Sequence, residues 1–516
     1  MLESPRSYVE VLSPELWEEI ILRLEESYGA VMLSQACRYL QTILATKEIW
    51  VKILRNMCLK HHLFAPSYPV ETMSVVEIKR AATGPQLWSK LIQSHTSASS
   101  GPVEPLEPRT SVILEPSPRA VSDMQSFVPG GRFLVRADAV AAGGAIMISL
   151  WDLGAPGRKP LCPAVLYAEA VFPIGLPWAE RHGMDVWTKG EELRVAIVVM
   201  NRGVCAMRVL RILPNVQGSG WELAAEARIE LVIDFGSRPM DVLLHGSRLL
   251  LRHGHGDNLV VWDFEKDRFV VIVVERVPVE KVVLTGDMLI ILRPDGVHMW
   301  NLNRRIQEST TQLADFASDY PPVKREAIWD PDFSVSNPPP DGRADLVRQI
   351  YPSLVSRGLP FTFDEMRNSV HPHLATAVVV RRFTVALPKK ATSIDALDVK
   401  LQATFILPWY DSMPMTRPTQ DFEFGFFSSS IVRLNLGHTH DRDDGKIARY
   451  YVYSVDDRHA KGIVEGKLPE QALLTPMGEV WKHGLKVDMV CPASGRAIFV
   501  GRQGRSYGSS LLDYFW

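Results

Sequence analysis

Cysteine is scarce in this chain, with five in 516 residues. Cys37, Cys58, Cys162, Cys205 and Cys491 are scattered, odd in number and never spaced Cys-x-x-Cys. That pattern argues against a disulfide framework and a cysteine-based zinc site. Long apolar runs are missing as well. A run such as Phe269–Val274, which none exceeds, is far short of a membrane span. Charge of one sign is not in excess: 57 Lys and Arg face 59 Asp and Glu, a net charge of −2. Nothing there favours nucleic acid or an anionic membrane as a partner. No Asn-x-Ser/Thr acceptor occurs, and acids and a capped helix stand where a signal peptide needs an apolar core. The expectation is a soluble protein of the cytoplasm, the nucleus or both. Gly-x-Ser-x-Gly, P-loop and His-Glu-x-x-His motifs are also lacking, so no catalytic residue, metal or cofactor is assigned.

What is present is an ordinary globular composition, 46% apolar and 22% charged, in a chain long enough for two or three domains. Its first sixty residues read as three short helices. Ser13 is a suitable N-cap, and Pro14 stands at the first helical position, where its missing N–H costs nothing. Leu16, Trp17, Ile20, Ile21 and Leu24 fall on one broad apolar face. A second helix carries Val31 to Leu44, and Thr46 opens a third with Ile49, Trp50, Ile53 and Leu54. Each has more apolar surface than it can bury alone. A helical unit this small sits at the lower limit of independent folding.

This stretch resembles the F-box. The family's opening Leu-Pro-x-Glu-Leu appears as Leu12-Ser13-Pro14-Glu15-Leu16, its aliphatic pair as Ile20-Ile21 followed by Leu24, its second segment as Leu33 to Leu40, and its closing Trp as Trp50. Ser13 departs from the commonest Pro. The resemblance implies docking onto the Skp-type adaptor of a cullin–RING ubiquitin ligase. The residues it assigns to that contact are Leu12, Pro14, Leu16, Ile20, Leu24, Leu33, Cys37, Leu40 and Trp50.

After this head (1–60), residues 61–94 read as a helical stalk. Ser74-x-x-Glu77 is a capping box, and Gly84-Pro85 is expected to break the helix. Residues 95–120, rich in Ser, Pro and Gly, read as a linker. From 121 to 516 the chain reads as short strands and turns. Gly130 to Leu153, His245 to Phe264 and Gly286 to Leu302 each give Gly, an apolar strand, a turn, and a strand ending in Trp-Asp or Trp-Asn. Fainter copies lie at Glu192 to Leu210, where Met207 takes the Trp place, and at Gly495 to Tyr514. Trp262 and Trp300 are 38 residues apart, near the WD-repeat period of about 40–45. These copies resemble divergent WD repeats, which implies a β-propeller of six to eight blades, seven being the central count. Residues 303–371, with their proline runs and a helical piece near Ala344 to Val355, read as an inter-blade insertion.

The fold class is therefore α plus all-β: a small helical head and stalk, then a propeller. Remaining polar clusters read as turns. His438 to Asp444 has metal-like residue types but suits a hairpin loop, and His253 to Asp257, Cys58 to His62 and Gly501 to Gly508 read likewise as turns or a helix end. Arg252 and Arg293 are candidates for holding an acidic or phosphorylated segment of an unknown target protein. The implied function is substrate recognition in an SCF-type ligase, without covalent chemistry. Two alternatives stand beside it: a propeller scaffold whose head packs intramolecularly, and a propeller enzyme with dispersed catalytic residues.

Overall fold

The computed structural model describes residues 12–24, 27–97, 108–114, 120–140, 145–158, 164–173, 181–201, 204–214, 221–232, 241–252, 258–273, 281–293, 296–303, 333–336, 348–352, 361–371, 374–386, 398–407, 426–428, 431–441, 445–454, 473–476, 485–491, 493–503 and 506–514.

The head holds α1 (Pro14–Leu22), α2 (Ser27–Ala36), α3 (Arg38–Ile43) and α4 (Lys47–Lys60), followed by a 3-10 turn (Ala65–Ser67) and a long helix α5 (Val75–Ser97). The expected second helix is split. Ser34 turns its hydroxyl back to Val31 O at 2.6 Å, and Cys37 becomes extended before the chain re-enters helix at Arg38. The capping box forms as read: Ser74 N–H donates to Glu77 Oε2 at 2.6 Å, and Glu77 N–H donates to Ser74 Oγ at 3.3 Å. The helix does not break at Gly84-Pro85, which lies inside α5. Packing overrides propensity there. Gly84 lies so close to a turn of the last sheet that an added Cβ would stand 2.0 Å from Ala493 O.

Among the described residues every sheet is antiparallel and four-stranded, and each but the last is a simple meander. The first holds β2 (Ala120–Phe127), β3 (Phe133–Val140), β4 (Ala145–Asp152) and β5 (Val165–Pro173). The second holds β6 (Arg181–Lys189), β7 (Glu192–Asn201), β8 (Val204–Pro214) and β9 (Trp221–Val232). The third holds β10 (Asp241–His245), β11 (Arg248–Arg252), β12 (Asn258–Asp263) and β13 (Arg268–Val273). The fourth holds β14 (Lys281–Thr285), β15 (Met288–Arg293), β16 (Gly296–Asn301) and β17 (Phe333–Ser336). The fifth holds β18 (Arg348–Pro352), β19 (Phe361–His371), β20 (Leu374–Ala386) and β21 (Asp398–Leu407). The sixth holds β22 (Phe426–Ser428), β23 (Ile431–Asp441), β24 (Gly445–Ser454) and β25 (Leu473–Pro476). The seventh holds β26 (Leu485–Cys491), β27 (Arg496–Gln503) and β28 (Ser506–Asp513), with β1 (Thr110–Leu114) added outside β28.

First strands of consecutive sheets touch one another from β26 through β2, β6, β10 and β14 to β18. This side-by-side order is propeller-like. The Trp-Asp dipeptides end the third strands, as the repeats imply. Trp262 pairs with Leu249 and Trp300 with Leu289, and both indoles are buried. Asp152 and Asp263 cap the following turns, accepting from Gly154 N–H at 2.8 Å and Lys266 N–H at 3.2 Å.

Three sequence expectations shift. Leu193 stands in the second sheet where Leu249 stands in the third, and its partner is Ile212, so Ile212 and not Met207 takes the Trp place. Strand β1 falls in the expected linker, because its pairing with β28 is invisible in the Pro- and Ser-rich residues around it. The expected insertion contains β17, β18 and β19, and Arg348–Pro352 is strand where a helical piece was expected. Short strands flanked by prolines leave little periodicity to read.

Candidate interaction face

The sequence assigns its binding residues to the head, and the structure sorts them by exposure. On α1, Ile21 points inward and is 3% exposed, while Leu16 is 52% exposed and Ile20 40%. The two are one turn apart and share a face. Pro14 is exposed at the start of the same helix, and Met32 is exposed on α2. Leu12, Leu24, Leu33 and Cys37 are half-buried. Leu24 and Leu33 pack on the core, and Leu12 is tied down where Tyr39 Oη donates to its carbonyl at 3.1 Å. Leu40 and Trp50 are interior: they are 2% and 0% exposed. Trp50 Nε1 donates to Leu44 O at 2.7 Å, and the Lys79 ammonium lies 5.1 Å from its ring. In this structure those two side chains hold the head together. Periodicity marked them as apolar without saying what covers them, and it gave no special weight to Met32.

Charges frame the exposed stripe. Glu15 is held below the usual carboxylate range by a hydrogen bond from Ser13, so the Ser13 hydroxyl serves Glu15 and does not close on the helix. Glu18 is paired with Lys52 of α4, and Glu19 with Arg23. The first pair links α1 to α4, and the second is an i,i+4 pair at the end of α1 itself. Behind the stripe a cavity of about 60 Å³ opens between α1, α2, α4 and α5, lined by Ile21, Leu24, Ile53, Met57, His61 and Gln86 among others. Burial pushes the His61 imidazole down to about 4, with the neighbouring charges of Lys60 and His62 adding to the effect.

The head is also fastened to the sheets. Its core runs without a break into Phe127, Leu134, Cys491 and Leu511. Trp88 of α5 meets Tyr514 edge-on at 5.6 Å, and α5 also lies against β24 and β25. Arg158 bridges to Glu77 at 3.3 Å and donates to Thr72 O at 2.5 Å. The turns touched by the head join first to second or third to fourth strands, so all lie at one edge of the sheets. Arg252 and Arg293 end β11 and β15, at the opposite edge. Arg252 is half-buried, and the Arg293 side chain lies outside the described residues.

The other sequence candidates are described in part, mostly by their backbone. His438, His440 and Asp441 are paired along a β23–β24 hairpin, and the strands flanking Gly504 pair as a hairpin too. Residues 253–257 lie outside the described residues. Cys37, Cys58, Cys205 and Cys491 are free, and burial pushes the Cys58 thiol up to about 12. Among the described residues no group of three His, Cys, Asp or Glu is arranged to hold a metal ion, and no helix is long and apolar enough to cross a membrane.

No family model matches the sequence, and no curated protein matches it. Among solved structures, the chain is similar to the Nup170 N-terminal domain–Nup53 complex of Chaetomium thermophilum at a TM-score of 0.38 and 10% identity, over 84% of this chain and 68% of that one. It is similar to the N-terminal domain of Nup159 at 0.29 and 12%, over 80% and 99%. It is similar to apo AztD of Citrobacter koseri at 0.31 and 8%, over 76% and 86%.

Proposed function

We propose that this chain is the substrate-recognition subunit of an SCF-type ubiquitin ligase. Its head docks a Skp-type adaptor and, through it, cullin. Its sheets form a seven-bladed propeller of divergent WD-repeat type that holds a target protein. The observation that carries the reading is the uncovered apolar stripe Leu16–Ile20 on α1, at the end of the molecule where the F-box resemblance places the adaptor. Covering each such side chain contributes about 1.5–3 kcal/mol, and a few central anchors dominate an interface. Targets are held at the opposite edge, where Arg252 and Arg293 stand. The subunit does no covalent chemistry. It raises the effective concentration of target lysines near the charged conjugating enzyme.

The test is co-purification with a Skp-type adaptor, alongside a Leu16→Ala/Ile20→Ala variant. A stoichiometric complex that the variant loses supports the reading. A folded, monodisperse chain that binds no adaptor sinks it. That second outcome would favour a propeller scaffold without a ligase role, the reading to which the burial of Leu40 and Trp50 and the continuous head–sheet core lend weight.

A further inference from the structure

The sheets are joined by a repeated device. A guanidinium of one sheet reaches the carbonyl of a left-handed glycine in the first turn of the next. Arg496 of the seventh sheet donates to Gly131 O at 2.9 Å. Arg194 of the second donates to Gly246 O at 2.8 Å, and Arg248 of the third to Gly286 O at 2.6 Å. The accepting residues have φ of 72°, 60° and 50°. Each arginine is nearly buried and ion-paired, Arg496 to Asp513, Arg194 to Glu192 and Glu226, and Arg248 to Asp287.

At the junction of the first and second sheets the device is opened and the head is inserted into it. Arg132 is forked on Asp152 at 2.6–3.1 Å, but its Nη1 donates to Pro66 O at 3.0 Å. The equivalent turn glycine of the second sheet, Gly190 with φ 61°, accepts instead from Ala65 N–H at 3.0 Å. Phe64 fills the space between the sheets, 1% exposed, its ring 6.0 Å from Phe133 and 5.7 Å from Trp221. Its N–H donates to Pro129 O at 2.9 Å, and Thr188 Oγ1 donates to His62 O at 3.1 Å. Ser67 is fully buried against Gly130, where a Cβ would stand 2.8 Å from it.

We infer that residues 62–67 are a built-in spacer between the first two sheets, so that head and propeller form one cooperative unit with one fixed mutual orientation. The head is then no hinged appendage. Any partner on α1 is held at a set distance and angle from the far edge of the sheets, whatever that partner is. The inference rests on the contacts of residues 62–67 with the first two sheets and survives failure of the ligase reading.

Hydrogen exchange on the full chain across a denaturant series tests it. Amides of α4 and α5 should lose protection in the same transition as those of β2–β3 and β6–β7. Phe64→Ala should move both sets together, lowering protection at least about tenfold in each. Arg132→Lys, which keeps the charge and loses the fork, gives a milder version should the first variant fold poorly. Early exchange of α4 and α5 over unchanged protection of the first two sheets would overturn the inference.

Discussion

Gly84→Ala sets two magnitudes against each other. In a free helix the change stabilises by about 1 kcal/mol, because Ala restricts the unfolded chain and Gly does not. In this structure the new methyl would stand 2.0 Å from Ala493 O and 3.0 Å from Ala493 C. Ordinary C···O approach begins near about 3.3 Å, so α5 or the 493–495 turn must retreat by more than an ångström. The turn is not free to do so: Arg496, three residues on from Ala493, is anchored on Gly131 O and Gly154 O. If α5 moves, Ala81, Ala82 and Trp88, all at most 2% exposed, lose close packing. Forced overpacking costs about 1–3 kcal/mol, and the loosened Trp88–Tyr514 contact adds about 0.5–1.5 kcal/mol. The net expectation is destabilisation by about 0.5–3.5 kcal/mol after the propensity gain is subtracted. Chemical denaturation followed by tryptophan fluorescence and far-UV circular dichroism measures it, with the exposed change Val76→Ala on the same helix as a control. An unchanged or raised midpoint would refute the docking of α5 on the seventh sheet.

Other outcomes follow from single features. His61 titrates near 4 when folded and about 6.5 when unfolded, so the unfolded chain takes up a proton that the folded chain refuses. Its contribution is full above pH 6.5 and is lost as pH falls toward 4, at most about 3 kcal/mol. His61→Gln should flatten that slope in urea midpoints measured between pH 7 and 4, and an unchanged slope would exclude His61 as its source. His62 closes α4 at the left-handed position of a Schellman motif, with φ 49° and Leu63 N–H donating to Cys58 O at 2.8 Å. His62→Gly should raise the unfolding free energy by about 1 kcal/mol, a gain that calorimetry would detect. Trp50→Ala should cost about 3–5 kcal/mol, while Leu16→Ala/Ile20→Ala should stay within about 0.5 kcal/mol of the parent chain apiece. The opposite order in thermal melts would reverse the assignment of core and surface in the head.

What was legible in the sequence was local. Ser74 and Glu77 form their box because both partners lie within four residues. The Trp-Asp strand ends are visible because each turn that follows is closed by its own aspartate. What escaped depends on distant partners. Gly84-Pro85 reads as a breaker until Ala493 is placed against it. Thr110–Leu114 looks like linker until β28 pairs with it. Phe64-Ala65-Pro66 carries no motif at all, and only the meeting of Phe133, Trp221 and Gly190 gives it a place. Within the candidate face, apolar spacing found Leu16 and Ile20 together with Leu40 and Trp50, because a helical pattern is the same whether its cover is solvent, a partner or the chain's own sheets.

The pairing of β1 with β28 bears on how the molecule is made. Thr110 and Asp513 lie roughly 400 residues apart, and contacts of such separation form late. During synthesis the first strand is therefore exported long before its neighbour exists, leaving one edge open while six sheets accumulate. Gly131 and Gly154 wait as long for Arg496, and Trp88 for Tyr514. Loss of β28 and Tyr514 alone would leave β1 unpaired and Trp88 uncovered on an otherwise assembled body. Chains that lack Leu485–Asp513 would therefore present the exposed strand edge and apolar surface on which chaperones and proteases act.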